Sequence, residues 1–377
     1  MFEPGQLDEI RAAIERQTAA DRALLQVLRD DVLTHLSPSR FIRPHSATAV
    51  SLVASDGGNN RLVFDPFSMQ LVRVVDSYGG QLFIDVISPT TDPDALLARH
   101  HEARDPLHVL MEDLEVEKLS RLSPMIPESE EVRKKPDRVS PSWTLVYRDL
   151  AEWAVLYHRV TRSDWGSDTL IVRDGLLRSK IFSGTLFIQM RKLMLEAIER
   201  NRSRGIRLFV VGVAKHSQVL ARYRLAMALE DALPADGARF VPVPRELERK
   251  VYKWEEFARG VEDETTGESA KFVIGSMFLV RFGSESHDPV WAIDVFEPQA
   301  TEAGKVFGYL LQDAIDGFPV PYYPRCLQRA HEHAQVVDLD LDVLQDTILH
   351  SARSLIEEHK RGIFDGLALA PDIARRS

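Results

Sequence analysis

The stretch Ala47-Thr48-Ala49-Val50-Ser51-Leu52-Val53-Ala54-Ser55-Asp56-Gly57-Gly58 carries the pattern on which the predicted fold depends. Residues 48–54 predict a strand buried on at least one face, and the two glycines after Asp56 predict a sharp turn with positive φ. The same pattern returns at residues 169–175, where an apolar run ends in Asp174 and a glycine. One Asp-Gly pair after a strand is usually only a turn. Two such strands favour an α/β sheet that presents carboxylates to a metal ion.

The composition is that of an ordinary globular protein and excludes several classes of function. The chain has 377 residues, of which 44% are hydrophobic and 28% charged, enough for one large domain or two smaller ones. A formal net charge of −10 excludes a general polyanion-binding protein, although local basic patches can still bind nucleic acid. The single cysteine, Cys326, excludes an internal disulfide and a multi-cysteine zinc site.

No sequence signal indicates export or membrane insertion. No run approaches about 18 uninterrupted apolar residues. The N-terminal residues 1–4 do not open a basic region followed by an apolar core. We therefore expect a cytoplasmic protein with no membrane partner.

Hydrophobic periodicity predicts a mixed α/β chain. After the Asp56 strand, short β-rich runs separated by turn residues predict an antiparallel meander. A period of about 3.6 residues, with its flanking signals, predicts helices at 7–36, 105–122, 142–162, 182–203, 219–232, 302–316, 325–337 and 341–360. Apolar runs predict further strands at 169–174, 206–213, 271–282 and 290–296. Residues 123–141, rich in proline and charge, predict an irregular surface insertion, and His100-His101 is interpreted as solvated loop.

The order of the acidic residues along the chain favours one arrangement. A meander that opens with Asp56, a helix that carries Glu152 and a parallel strand that ends at Asp174 follow the order of an RNase H-like fold. Carboxylates that converge at strand ends suit Mg²⁺ or Mn²⁺, which prefer oxygen ligands. Two such ions about 4 Å apart activate water and stabilise the leaving oxygen in phosphodiester hydrolysis. His331, on a late helix, would complete one metal's coordination or orient the scissile phosphate.

Five motifs in this order resemble the NurA nucleases over roughly residues 40–350. The motifs are Asp56-Gly57-Gly58, Arg148-x-x-x-Glu152-Trp153, Arg173-Asp174-Gly175, Gly212-Val213-Ala214-Lys215-x-Ser217, and Tyr323-Pro324 running into Ala330-His331-x-x-Ala334. We therefore expect an α/β fold with an RNase H-like mixed sheet flanked by helices and with N- and C-terminal helical extensions. The expected domains are an extension at 1–40, a NurA-like nuclease domain at 41–350 with the insertion near 123–141, and a C-terminal helix and tail at 351–377.

The resemblance implies a Mn²⁺- or Mg²⁺-dependent DNA nuclease with endonuclease and 5′-to-3′ exonuclease activity on double- and single-stranded DNA ends. It also implies a homodimer that works with a HerA-type hexameric ATPase in DNA end processing and repair or in phage defence. The family's metal ligands transfer to Asp56, Glu152, Asp174 and His331. The family's first motif usually reads Asp-Gly-Ser, and Gly58 replaces its serine here.

Several assignments have alternatives. Glu152 can simply pair with Arg148 four residues away on the helix surface, and Glu112 or Glu115 on the preceding helix can be the third acidic ligand instead. Lys215, which follows a buried strand, is a candidate for a phosphate contact beside the carboxylates, with a solvated loop lysine as the alternative. Further candidates for DNA contacts are Arg148, Arg178, Lys180 and Tyr323.

Two other functions compete with the nuclease. One is a catalytically silent DNA clamp or adaptor subunit of a translocase complex, against which the three acidic residues argue. The other is an RNase H-like enzyme that acts on RNA-containing substrates, which no sequence feature excludes. The chain has no Gly-x-x-x-x-Gly-Lys-Ser/Thr phosphate loop, so any dependence on ATP has to come from a partner.

Overall fold

A computed structural model of the chain describes residues 4–46, 51–64, 67–252, 272–335 and 338–369. In this part of the chain the helices are α1 (Pro4–Ala20), α2 (Arg22–His35), α3 (Pro93–Ala103), α4 (Pro106–Asp113), α5 (Leu119–Leu122), α6 (Ser129–Lys134), α7 (Trp143–Arg162), α8 (Leu186–Ser203), α9 (Gln218–Leu229), α10 (Arg245–Val251), α11 (Ala303–Ala314), α12 (Arg325–Ala334), α13 (Asp338–Ser354) and α14 (Arg361–Leu369). The strands are β1 (Arg40–Phe41), β2 (Ser51–Phe64), β3 (Phe67–Asp76), β4 (Gln81–Ile87), β5 (Thr169–Asp174), β6 (Leu208–Ala214), β7 (Arg239–Pro242), β8 (Gly275–Arg281) and β9 (Val290–Phe296).

The described residues fall into two compact units, each assembled from separate stretches of the chain. The first unit comprises Met1–Val53, Asp164–Lys180 and Phe187–Gln328, and the second comprises Ala54–Ser163, Ile181–Leu186 and Arg329–Ser377. The boundaries expected near residues 40 and 350 stay predictions. The C-terminal residues 370–377 of the predicted tail lie outside the described part. None of the described helices is long and apolar enough to cross a membrane.

The first unit contains a six-stranded mixed sheet in the order β1-β7-β8-β9-β6-β5. Strands β5 and β6 are parallel, with Asp174 opposite Val213, and the other pairs are antiparallel. Because consecutive residues of a strand face opposite sides, β8 directs Met277 and Phe278 to different layers. Met277 joins a buried cluster with α9, whereas the Phe278 ring lies 5.3 Å from that of Phe307 on α11. The predicted α/β class, with a mixed sheet flanked by helices, is confirmed.

The N-terminal residues form two helices rather than one. Helix α2 packs against α9 through Val32 and Leu28, and the Tyr223 hydroxyl donates to the Asp31 carboxylate at 3.1 Å. Helix α1 is exposed along most of its length. Of the two helices, α2 therefore packs on the core.

The second unit contains the predicted meander, but the turn at Gly57-Gly58 is absent. Strand β2 continues through both glycines and pairs with β3 from Ser55 opposite Asp76 to Phe64 opposite Phe67. Strand β3 pairs in turn with β4. Neither glycine is among the described residues with positive φ. Asp56 therefore lies within a strand, and the sequence assignment of a turn there was wrong.

Helix α7 is the main support of the second unit. It packs on β3, β4 and α4, and it buries Trp143, Tyr147, Trp153 and Tyr157 almost completely. The helix begins and ends within one residue of its predicted bounds.

Residues between the meander and α7 are more ordered than the sequence predicted. Residues 93–103 form helix α3, which was not predicted, and the helix expected at 105–122 is divided into α4 and α5. The expected insertion at 123–141 contains α6, and it buries Ile126, Val132 and Val139. An amphipathic helix that is only six residues long leaves too short a periodic signal to detect in sequence.

Candidate functional site

Asp56 and His331, two of the predicted metal ligands, are in direct contact within the second unit. The His331 Nδ1–H donates to Asp56 Oδ2 at 2.8 Å. The Asp56 side chain is 12% exposed and the His331 side chain is 47% exposed. Their contact brings together residues 275 apart in sequence. Asp56 is therefore largely covered within the sheet, whereas His331 is open to solvent.

Glu152 on α7 lies against the same strand. A Cβ atom added to Gly57 would lie 2.2 Å from Glu152 Oε1 and 2.9 Å from Glu152 Cγ. Such distances are far below contact, so the Glu152 side chain occupies the space over Gly57. Because consecutive residues of a strand face opposite sides, this space lies on the face of β2 opposite to the Asp56 side chain. Glycine at residue 57 thus serves the approach of a side chain rather than a turn.

Arg148 lies next to Glu152 as the helical spacing predicts. Its Nε is 3.5 Å from Glu152 Oε1, and the Arg148 and Glu152 side chains are 29% and 17% exposed. The pair is therefore partly buried, with Glu152 against β2 at Gly57, rather than solvated on an outer helix face. By contrast, Glu112 is 68% exposed beside His108, and Glu115 is exposed. Glu152 therefore differs from both alternatives in its burial, and its assignment as the third acidic ligand stays a prediction.

Gln335 is a neighbour of the site that the sequence did not identify. Its amide nitrogen lies 2.9 Å from His331 Nε2, where it donates to the ring nitrogen that does not face Asp56. An i,i+4 pair on an exposed helix was the only signal available, and that signal is common. Gln335 therefore holds Nε2 of His331 and restrains the orientation of the imidazole ring.

In the first unit, Asp174 ends β5 and is held by two predicted site residues. The Tyr323 hydroxyl donates to Asp174 Oδ1 at 3.2 Å, and Lys215 Nζ lies 3.6 Å from Asp174 Oδ2. Lys215 Nζ also lies 5.1 Å from the centre of the Tyr323 ring. The predicted turn after Asp174 is present, because Gly175 has a φ of 103°. Lys215 thus neutralises a carboxylate and is not a solvated loop lysine.

Tyr323 and Arg178 are not placed to contact DNA in the way the sequence led us to expect. Tyr323 is completely buried, so its ring is not available for stacking on bases. The Arg178 side chain is 3% exposed, with Nε 2.8 Å from Asp294 Oδ2 and Nη1 2.7 Å from Glu248 Oε2. Burial alone would lower the pKa of Arg178. The two buried carboxylates, Asp294 and Glu248, outweigh burial and raise the pKa. Both expected DNA contacts are therefore corrected, whereas Lys180 is exposed.

His100, which the sequence placed in a solvated loop, is also buried. Its Nδ1–H donates to Asp105 Oδ2 at 2.5 Å, and its Nε2–H donates to the Tyr147 hydroxyl at 2.6 Å. Tyr147 donates in turn to Asp85 Oδ2 at 2.7 Å. Burial alone would lower the pKa of His100, but the hydrogen bonds to Asp105 and with Asp85 outweigh it and raise the pKa to about 9. The sequence missed a charged cluster in the interior of the second unit.

The residue types of the candidate ligands fit a hard divalent cation, but they are not assembled into a metal site. Asp56 and Glu152 supply carboxylate oxygens and His331 supplies an imidazole, which is a donor set that Mn²⁺ accepts. Among the residues that the structure describes, no three histidine, cysteine, aspartate or glutamate side chains already form a group able to hold a metal ion. The three donors are therefore not assembled around one point, and the metal site stays a prediction.

Comparisons with known proteins match this chain to solved structures at low sequence identity. No family model and no curated protein matches the sequence. The chain is similar to the NurA nuclease from Sulfolobus solfataricus, with 13% identity and a TM-score of 0.42 over 95% of this chain and 99% of that one. It is also similar to NurA bound to dAMP and manganese, with 12% identity and a TM-score of 0.36 over 96% of this chain and 100% of that one. At such identities, function has to be inferred from the residues of the site.

Proposed function

We propose that this protein is a divalent-metal-dependent DNA nuclease. The single observation that carries the proposal is the contact of Asp56 with the partly exposed His331, on a strand against which Glu152 also packs. The sequence motifs around these residues support a phosphodiester hydrolase with endonuclease and 5′-to-3′ exonuclease activity on DNA ends. Their resemblance to the NurA family also supports a homodimer and a HerA-type hexameric ATPase as partner, in end processing and repair or in phage defence.

Asp56, Glu152 and His331 would hold Mn²⁺ or Mg²⁺. A bound pair of such ions activates water and neutralises charge on the phosphate that is attacked. Asp56 supplies the first carboxylate from a paired strand, so its backbone position is fixed. His331 turns Nδ1 towards that carboxylate, and Gln335 keeps the ring in this orientation. Arg148 balances the charge of Glu152 when no metal is bound, and it is the candidate in this unit for a phosphate contact.

Asp174 is assigned to the same chemistry by its sequence motif, and its neighbours fit that assignment. Lys215 and Tyr323 hold its two oxygens in a fixed orientation, as a preorganised ligand requires. Lys215, 34% exposed, keeps enough accessible surface to contact a phosphate as well. Tyr323 acts as a positioning residue rather than as a base-stacking one. Lys180 remains a candidate for a contact with the DNA backbone.

The decisive experiment measures cleavage of linear double- and single-stranded DNA with Mn²⁺, Mg²⁺ or EDTA, with and without the cognate ATPase and ATP. We expect cutting by the wild type with Mn²⁺ or Mg²⁺, and none with EDTA. Asp56→Asn and Asp174→Asn should abolish it, because each replaces a charged ligand by a neutral one of the same size. Glu112→Gln is the matched control and should cut as the wild type does.

The other outcomes select the competing functions. Preferential cutting of RNA or RNA–DNA hybrids under the same metal would favour the RNase H-like alternative. DNA binding without cutting under any condition, partner included, would contradict the nuclease and leave the clamp or adaptor. Cutting that survives Asp56→Asn would show that the activity has another site.

A further inference from the structure

Two histidines on the surface of the second unit face each other at the corner between α3 and α4. His101 Nδ1 and His108 Nδ1 are 2.7 Å apart. The two ring centroids are separated by 4.7 Å, with an angle of 75° between the ring planes. His101 is exposed and the His108 side chain is 16% exposed. Both nitrogens are therefore close to each other and within reach of solvent.

The backbone that carries this pair is held by buried contacts. Only Arg104 and Asp105 connect the two helices, and Asp105 Oδ1 accepts hydrogen bonds from the amides of Leu107 and His108 at 3.0 and 3.1 Å. Asp105 Oδ2 binds the buried His100, the residue immediately before His101. The same aspartate thus caps α4 and anchors the end of α3, so the separation of the two surface histidines is fixed by the interior.

A carboxylate lies behind one of the two rings. Glu112 Oε2 is 3.8 Å from His108 Nε2, on the side of the ring away from His101. A metal-bound histidine usually directs its other N–H to a carboxylate, which fixes the tautomer and leaves the first nitrogen free to bind the ion. Glu112 is placed to do this for His108 once a short side-chain movement closes the distance.

We propose that His101 and His108 form a surface binding site for a single transition-metal cation of the Zn²⁺ class, through their Nδ1 atoms. Imidazole nitrogens favour Zn²⁺, Cu²⁺ or Ni²⁺, whereas Mg²⁺ favours oxygen ligands. With Zn–N bonds of about 2.0–2.1 Å and tetrahedral angles, the two nitrogens would lie about 3.3 Å apart. The present separation has to open only slightly, the shared proton leaves, and water completes the coordination. This site does not depend on the proposed nuclease chemistry.

Calorimetric titration of the full chain with Zn²⁺, in excess Mg²⁺ to occupy oxygen-rich sites, tests the proposal. We expect one Zn²⁺ equivalent whose affinity falls at least about tenfold in His101→Gln and in His108→Gln. His359→Gln, which changes an exposed histidine elsewhere, and Asp56→Asn, which changes the candidate nuclease site, should both leave this equivalent unchanged. Thermal unfolding without metal should be the same in the wild type, His101→Gln and His359→Gln, since both of these histidines are exposed.

Two results would overturn the site. Wild-type affinity in either His101→Gln or His108→Gln would show that the two rings do not bind one ion together. Loss of the same equivalent in Asp56→Asn would assign the ion to the candidate nuclease site instead. Glu112→Gln should weaken binding by about tenfold through the tautomer of His108. Unchanged affinity in that variant would contradict the role of Glu112.

Discussion

His100 and His331 each bind an aspartate through Nδ1, at 2.5 and 2.8 Å, yet their surroundings differ. The His100 side chain is 6% exposed and lies between two carboxylates, whereas that of His331 is 47% exposed and contacts one. In the interior, a polar group without a partner in the protein costs free energy, so the paired charges around His100 stabilise the fold. Asp56 and His331 form the open pair, where solvent reaches the side chains and an ion can take its place. The same two chemical groups therefore serve structure in one region and are available for binding in the other.

The largest expected effect is the loss of a charge from the buried region. In Asp85→Ala the Tyr147 hydroxyl and Arg99, whose Nη2 lies 3.0 Å from Asp85 Oδ1, lose their acceptor. The cationic His100 is then only partly neutralised, so we expect the free energy of unfolding to fall by about 3–5 kcal/mol. Urea denaturation measures the change.

His331→Ala is the matched control for the open pair. A hydrogen-bonded pair of which one member is about half exposed contributes about 1 kcal/mol or less. A similar loss in the free energy of unfolding from Asp85→Ala and His331→Ala would contradict the comparison. It would mean that exposure does not decide how much each histidine contact contributes to stability.

The pH dependence of stability is the second effect. The pKa of His100 rises from 6.5 to about 9 in the folded protein, because Asp105 and Asp85 outweigh burial. The folded state then binds more protons than the unfolded state between these two values. The contribution is fully present below pH 6.5 and is lost as the pH rises through 9. A shift of this size corresponds to about 3 kcal/mol.

Urea denaturation of the wild type and of His100→Gln between pH 6 and pH 10 isolates this contribution. The wild type should lose about 3 kcal/mol more than the variant over that range. Parallel curves for the two proteins would mean that His100 does not carry the charge in the interior.

The sequence predicted a feature correctly where the residues that determine it are close together in the chain, and failed where they are far apart. Asp174 followed by Gly175 predicted a strand and a turn correctly, because the signal is local. The partner Asp105 lies only 5 residues from His100, but His100 was placed in a solvated loop because Tyr147, which contacts it in the interior, lies 47 residues away. Arg178 was placed at the DNA because its partner Asp294 lies 116 residues away. Burial of a charged side chain is decided by such distant partners, which spacing along the chain does not reveal.

Asp56 shows the same limit in a different form. The assignment of this residue to the site stays a prediction, whereas the two glycines after it were wrongly interpreted as a turn. Pairing of β2 with β3 and the approach of Glu152 decide the conformation there, and both are contacts distant in sequence. The acidic residue type and its motif could be predicted. The reason for the glycine could not.

Gly57→Ala gives the smallest expected effect on stability and separates position from charge at the open pair. The new methyl group would meet the end of the flexible Glu152 side chain, which can rotate away, so we expect a loss of about 1 kcal/mol in the free energy of unfolding. Rotation displaces the carboxylate from its position against β2 without removing it. If Glu152 acts as a ligand, Mn²⁺ binding measured by electron paramagnetic resonance should weaken as much in Gly57→Ala as in Glu152→Gln. Weakening in Glu152→Gln alone would show that the charge matters and its position against the strand does not. Unchanged binding in both would remove Glu152 from the site and leave Asp56 and His331 as its only members in this unit among the residues that the structure describes.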